Sequence, residues 1–120
     1  MKEENYKTYK TYYYYISNDY FGFDSNDNLV CEDSLDLGLA DYELKGTANS
    51  IEDLKKKITN LLLKRGALWA CYDGYRRFCD NAVVYLQVSL KPIDEDLLEE
   101  FNSSITIYPN GELKFYIFVD

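Results

Sequence analysis

The clearest pattern along the chain is the spacing of Ile51, Leu54, Ile58, Leu61 and Leu62, which puts the aliphatic side chains on one side of a helix with about 3.6 residues per turn. Ser50 supplies an N-cap oxygen, and Asp53, three residues on, is a shortened relative of the capping-box acid. Glu52 and Asp53 sit at the positive end of the helix dipole, Lys64 and Arg65 at the negative end, and Gly66 fits C′. The expected element is a helix over about 51–65 whose aliphatic stripe crosses a sheet.

Upstream, β-favouring residues are broken by turn chemistry. Tyr9 to Ile16 predicts a strand with tyrosine on both faces, Asn18-Asp19 a turn, and Tyr20 to Phe23 a short second segment. Asn26, Asp27 and Asn28 then turn the chain into Leu29, Val30 and Cys31. Leu35, Leu37 and Leu39 alternate with Asp36, Gly38 and Ala40, which suits a strand edge or an extended loop, and Gly46 to Asn49 reads as a connection. From Ala67 to Cys79 the pattern is divided between two strands joined at Asp73-Gly74 and a short helix broken near Gly74. Ala82 to Leu90 predicts a central strand.

Pro92 and Asp94 open a shorter acidic helix over about 94–102, with Leu97, Leu98 and Phe101 on one face. Its like-charge pairs, Glu95 with Glu99 and Asp96 with Glu100, oppose it by a few tenths of a kcal/mol each, roughly, so burial of the apolar face must outweigh them. Ile105 to Tyr108 and Glu112 to Val119 flank Pro109-Asn110-Gly111, which predicts a C-terminal hairpin. The expected fold class is α+β: a single compact domain over 1–120 with a mainly antiparallel sheet, and residues 1–8 as a polar arm.

Composition adds chemistry to this frame. An apolar fraction of 47% with only 2 prolines fits a chain that folds throughout. MKEENYKTYK lacks an apolar export core, and Cys31, Cys71 and Cys79 form neither a CxxC pair nor a zinc spacing, so reduced thiols in a cytoplasmic protein are expected. The chain has 21 Asp or Glu against 13 Lys or Arg, a formal charge of −8, no histidine and 13 tyrosines. That balance opposes phosphate backbones and anionic lipid, so neither direct nucleic-acid binding nor membrane association is expected.

Catalytic constellations are weak. Without histidine a Cys-His dyad cannot form, and carboxylate pairs such as Glu32 with Asp33 have no defined separation. Asp24, Asn26 and Asn28 copy the first ligand positions of a calcium loop, but Leu29 stands where glycine is needed and Leu35 where a bidentate glutamate is needed. A non-enzyme with no cofactor and no metal is expected, a histidine-free carboxylate or cysteine enzyme being the alternative.

Tyrosine suits protein interfaces, and carboxylates around it can engage a basic partner. The candidate interface comprises Tyr13, Tyr15 and Tyr20 as anchors with Glu32, Asp33, Asp36, Asp41, Glu43, Asp94, Glu95, Asp96, Glu99 and Glu100 as the acidic array. Such an array could mimic a few phosphates for a nuclease or other nucleic-acid-binding protein. The competing readings are a solubilising acidic surface and a homodimer paired through a tyrosine-rich edge strand. In size, acidity and absence of a catalytic motif the chain resembles the small anti-defence inhibitors of phages and mobile elements, anti-CRISPR-like proteins among them. That resemblance implies protein binding without catalysis.

Overall fold

The organising element is strand β1 (Tyr12–Phe23), long enough to hold different neighbours along one edge. The computed structural model describes residues 10–34, 44–64, 72–73, 76–77, 79–94 and 101–120. On its outer edge, Asp19 to Phe23 pair with β2 (Leu29–Ser34) and Tyr12 to Tyr15 with β3 (Lys45–Ala48). Its other edge pairs with β6 (Asn81–Ser89), followed by β7 (Ser103–Ile107) and β8 (Leu113–Tyr116). The sheet therefore runs β2-β1-β6-β7-β8, with β3 beside β1, and every pairing is antiparallel.

One helix, α1 (Ile51–Lys64), accompanies the sheet among the described residues, giving a single mixed α+β domain. Two short strands, β4 (Tyr72–Asp73) and β5 (Arg76–Arg77), pair separately, which favours strands over a broken helix in that stretch.

Alternation along β1 and β6 decides what the helix covers. Ile16, Tyr20, Val84, Leu86, Val88, Ile105 and Ile107 point to one side and join Leu54, Ile58 and Leu62 of α1 in the core. Each such aliphatic residue contributes roughly 1.5–3 kcal/mol by leaving water. The helix begins as its sequence dictates: Ser50 Oγ accepts the Asp53 amide at 3.0 Å, while Asp53 Oδ2 accepts the Asn49 amide at 3.0 Å. The Asn49 bond, then the nearby Lys57 charge, hold the Asp53 carboxyl below its ordinary range. Lys57 also donates to the Thr47 carbonyl at 2.8 Å, tying α1 to β3.

Two expectations are corrected, and a third only at its ends. Asn18-Asp19 does not end a strand: Ile16 faces Leu86 and Tyr20 faces Val84, so β1 advances four residues while β6 advances two. This irregularity lies inside one strand, with the Asp19 amide donating to Ser17 Oγ at 3.2 Å. Because two residues are added, the parity of the strand is unchanged, and Tyr20 stays on the core side with only 3% of its surface exposed. Gly46 to Asn49 is not merely a connection, since Lys45–Ala48 forms β3 with the Tyr14 ring packed over Gly46. Of the segment expected to form the acidic helix, Asp94, Phe101 and Asn102 are not helical, and 95–100 fall outside the described residues.

Two connections share one geometry. Between β1 and β2, Asp24 C=O accepts the Asp27 amide at 3.1 Å and the Asp24 amide donates to Asn28 C=O at 3.0 Å. Tyr108, Gly111 and Glu112 repeat those bonds between β7 and β8, both at 2.9 Å. The left-handed position holds Asp27 at φ 62° in the first and Gly111 at φ 92° in the second. Asn110 does not have positive φ, so the β7–β8 connection is a type I turn followed by a left-handed glycine, not a two-residue turn centred on Asn-Gly.

Asp27 is thus an L residue at a glycine position. Left-handed strain of roughly 1–2 kcal/mol exceeds the roughly 0.4–1 kcal/mol of chain entropy that glycine forfeits on folding. Asp27→Gly is expected to stabilise the domain by about 0.5 kcal/mol and Asp27→Val to destabilise it by about 1–2 kcal/mol. Urea denaturation checks the opposite signs.

Candidate functional site

The face of the sheet away from α1 carries the residues that strand alternation excludes from the core. On β1 these are Tyr13, Tyr15, Ser17, Asp19 and Phe21; on β6 they include Val83, Tyr85 and Gln87. Tyr116 on β8 and Phe118 beyond it continue the alternation outward, with Phe118 67% exposed. Among the described residues no helix covers this face.

At its centre Phe21 and Tyr85 meet edge to face, ring centroids 5.6 Å apart and planes at 69°. Such a pair contributes about 0.5–1.5 kcal/mol beyond its buried area and fixes both rings. With Ser17, Asp19 and Phe101 they line a cleft of about 400 Å³. Asp19 is exposed, Phe101 is 39% exposed, and Glu32 is an exposed residue directly opposite Phe21 across the β1–β2 ladder. The cleft therefore combines aromatic walls with one carboxylate in its lining and a second on its border.

A cation stands farther across the sheet. Lys114 Nζ lies 5.6 Å from the centroid of the Tyr116 ring on β8. Its interactions with Tyr116, first the hydrogen bond and then the phenol's charge, raise its pKa above the ordinary lysine value. Among the described residues, Gln87 Oε1 on β6 is a buried acceptor without a hydrogen-bond donor.

Tyr13 and Tyr15 are half-buried on the outer face. Tyr13 lines a second recess of about 270 Å³ with Tyr14, Lys45, Gly46, Pro92 and Ile93 among its walls. Tyr20 is buried in the core and cannot serve as an exposed anchor. Glu32 and Asp94 are exposed; Asp33 is placed in β2, and its side chain is not described. Asp36, Asp41, Glu43, Glu95, Asp96, Glu99 and Glu100 lie outside the described residues.

The cleft brings together Asp19, Phe21, Tyr85 and Phe101, none of them singled out from sequence as an interface residue. A signal was present in the odd-numbered run Ser17, Asp19, Phe21, which shares one face once the strand continues through Asn18. Phe101 was masked by its assignment to the apolar side of a helix.

Among the described residues no group of three or more His, Cys, Asp or Glu could hold a metal ion. Asp24 spends its oxygens locally, Oδ1 accepting the amides of Asn26 at 2.8 Å and Asn28 at 2.9 Å. The Asn28 bond is the main reason its carboxyl lies below the ordinary aspartate range. No described helix is long and apolar enough to cross a membrane. No family model, curated protein or solved structure matches the chain.

Proposed function

We propose that this chain is a non-enzymatic protein that binds and inhibits, or modulates, a basic nucleic-acid-handling protein, as phage and mobile-element anti-defence proteins do. It acts in the cytoplasm by presenting carboxylates where the partner expects phosphates. What supports this reading is an outer sheet face with aromatic rings beside exposed carboxylates, on a chain of formal charge −8. Rings supply contact area at low entropic cost, and the carboxylates steer a basic surface into contact.

The test uses the 120-residue chain immobilised in nuclease-treated host extract, followed by affinity measurement with the purified captured protein. Retention of a basic nucleic-acid enzyme, inhibited on binding and released as salt rises, is expected. Reversing Glu32, Asp94, Glu95, Asp96, Glu99 and Glu100 to lysine, with circular dichroism unchanged, should weaken binding by about 10–100-fold at low salt. Unchanged affinity and unchanged salt dependence would overturn the assignment of the acidic array.

A second reading, self-association, draws on the edge strand β8, where Tyr116 is 43% exposed, and on Phe118 beyond it, 67% exposed. Light scattering separates the two: a monomer at all concentrations belongs to the heterologous partner, a concentration-dependent dimer to self-pairing.

A further inference from the structure

We infer that the cleft between β1 and β6 is a binding subsite for a guanidinium group, and that the partner inserts an arginine side chain there. The inference rests on the proposed protein-binding role and names the chemistry of its central contact.

Three features of the cleft select that group. Its walls are aromatic: Phe21 and Tyr85 are held in a T-shaped contact, and Phe101 adds a partly exposed ring. A neutral apolar ligand would suit such walls, but the lining also includes the exposed carboxylate of Asp19, and Glu32 stands opposite Phe21. Flat rings beside carboxylates match a planar cation that stacks through its face and donates hydrogen bonds through its edge. Arginine meets both demands. A lysine ammonium is strongly hydrated and compact, so it gains less from the ring faces.

Size agrees with this assignment. About 400 Å³ exceeds one guanidinium and accommodates an arginine with part of its flanking backbone. The same sheet face already holds one cation against a ring, Lys114 beside Tyr116, whereas the Asp19 cleft has no cationic side chain in its described lining. A cation supplied by another molecule would complete it.

The experiment titrates the full chain with N-acetyl-arginine amide, N-acetyl-lysine amide and N-acetyl-citrulline amide, followed by NMR of the aromatic and backbone resonances. Citrulline keeps arginine's shape and removes its charge. The arginine probe should saturate shifts at Asp19, Phe21, Tyr85 and Phe101 in the millimolar range, with lysine weaker by about 3–10-fold and citrulline by about 10-fold or more. Asp19→Asn should weaken the arginine probe about 10-fold, Tyr85→Leu should abolish its shifts, and Tyr85→Phe should keep them; unshifted core resonances show that each variant is folded.

Equal binding of citrulline and arginine, or arginine shifts confined to other surfaces, would overturn the subsite. So would binding that survives both Asp19→Asn and Tyr85→Leu. The broader reading stands or falls separately. If a basic protein is captured with full affinity by Asp19→Asn and Tyr85→Leu, the cleft is wrong and protein binding remains. If the arginine probe fills the cleft and no basic protein binds, the subsite remains and the inhibitory role falls.

Discussion

Gly22→Ala is expected to destabilise the domain by about 3 kcal/mol, at the upper end of what overpacking one methyl group costs. Gly22 lies on the core side of β1, opposite Cys31 on β2 and Ala82 on β6. A Cβ there would overlap Cys31 Sγ and stand 3.0 Å from Cys79 Sγ and 3.1 Å from Cys79 Cβ. The neighbours cannot all recede. Cys79 is buried, and the next residue anchors it, since the Asp80 amide donates to Phe23 C=O at 2.8 Å. Cys31 belongs to the outermost strand on that side and is only half-buried, so it is the neighbour able to yield.

The backbone at Gly22 is not left-handed, so the cost is steric and not conformational. That distinction makes the prediction sharp. Cys31→Ala removes the overlapping sulfur and should recover more than half of the loss in the double variant, although alone it costs about 1 kcal/mol through the space it leaves. Urea denaturation of the single and double variants measures the coupling. A cost below about 0.5 kcal/mol for Gly22→Ala, or simple additivity with Cys31→Ala, would contradict the close approach.

The same stretch of β1 shows what a sequence can and cannot reveal. The helix over 51–64 was legible because its stripe, its Ser50 cap and its terminal charges are local and agree with one another. Asn18-Asp19 was misread because turns and strand irregularities use the same chemistry, short polar side chains that satisfy nearby amides. Which one forms depends on whether β6 lies alongside to carry the pairing through, and that information sits more than sixty residues away. Tyr20 followed from that error: with a turn before it, either face was open to it, whereas a continuous strand sends it inward with Ile16.

Gly46 illustrates a similar limit. Glycine in a polar stretch reads as a loop, yet here it makes room for the Tyr14 ring from the neighbouring strand. Charge behaves differently from either. The excess of carboxylates is a property of the sequence, but their arrangement on a surface is not, and the cleft depends on Asp19 sharing a face with Phe21 and Tyr85. Acidity thus pointed toward a class of partner, while the register of β1 against β6 determines where aromatic rings and carboxylates meet.

Asn102→Ala is expected to be the more damaging of the two core-edge substitutions, costing about 3–4 kcal/mol. Val88 is fully buried in β6, beyond the point where the backbone of β7 can pair with it. The carboxamide of Asn102 takes over: Oδ1 accepts the Val88 amide at 2.9 Å, and Nδ2 donates to the Val88 carbonyl at 2.8 Å. That carbonyl also accepts the Asp120 amide at 3.1 Å, and the Leu90 amide donates to Asp120 C=O at 3.2 Å. Ser103 Oγ extends the seam, accepting the Phe118 amide at 2.9 Å and lying 2.9 Å from Phe118 C=O. Ser103 Oγ and the backbone of Val88 and Leu90 therefore fasten the C-terminal residues, and the Asn102 carboxamide completes Val88, where the strand ladder stops.

Alanine removes both carboxamide bonds to Val88 and the acceptor that Asn102 Oδ1 offers the Ser103 hydroxyl at 3.2 Å, and it leaves the Val88 N–H buried without its acceptor, whereas the Val88 carbonyl keeps Asp120. The unmatched N–H alone costs roughly 1–3 kcal/mol, with the lost second bond and packing adding the remainder. Asn102→Asp provides the discriminating measurement because it keeps an acceptor for Val88 N–H and replaces the donor by a carboxylate facing a carbonyl oxygen. Repulsion and partial burial raise the folded-state pKa of that new carboxyl above its unfolded value of about 4. Its protonated form can donate to Val88 C=O, so the variant should approach wild-type stability below about pH 4 and lose it as pH rises through the raised value. Parallel denaturation curves for Asn102→Asp and wild type across that window would show that the Asn102 donor is not a determinant of the fold; a gap that widens with pH locates it at Val88.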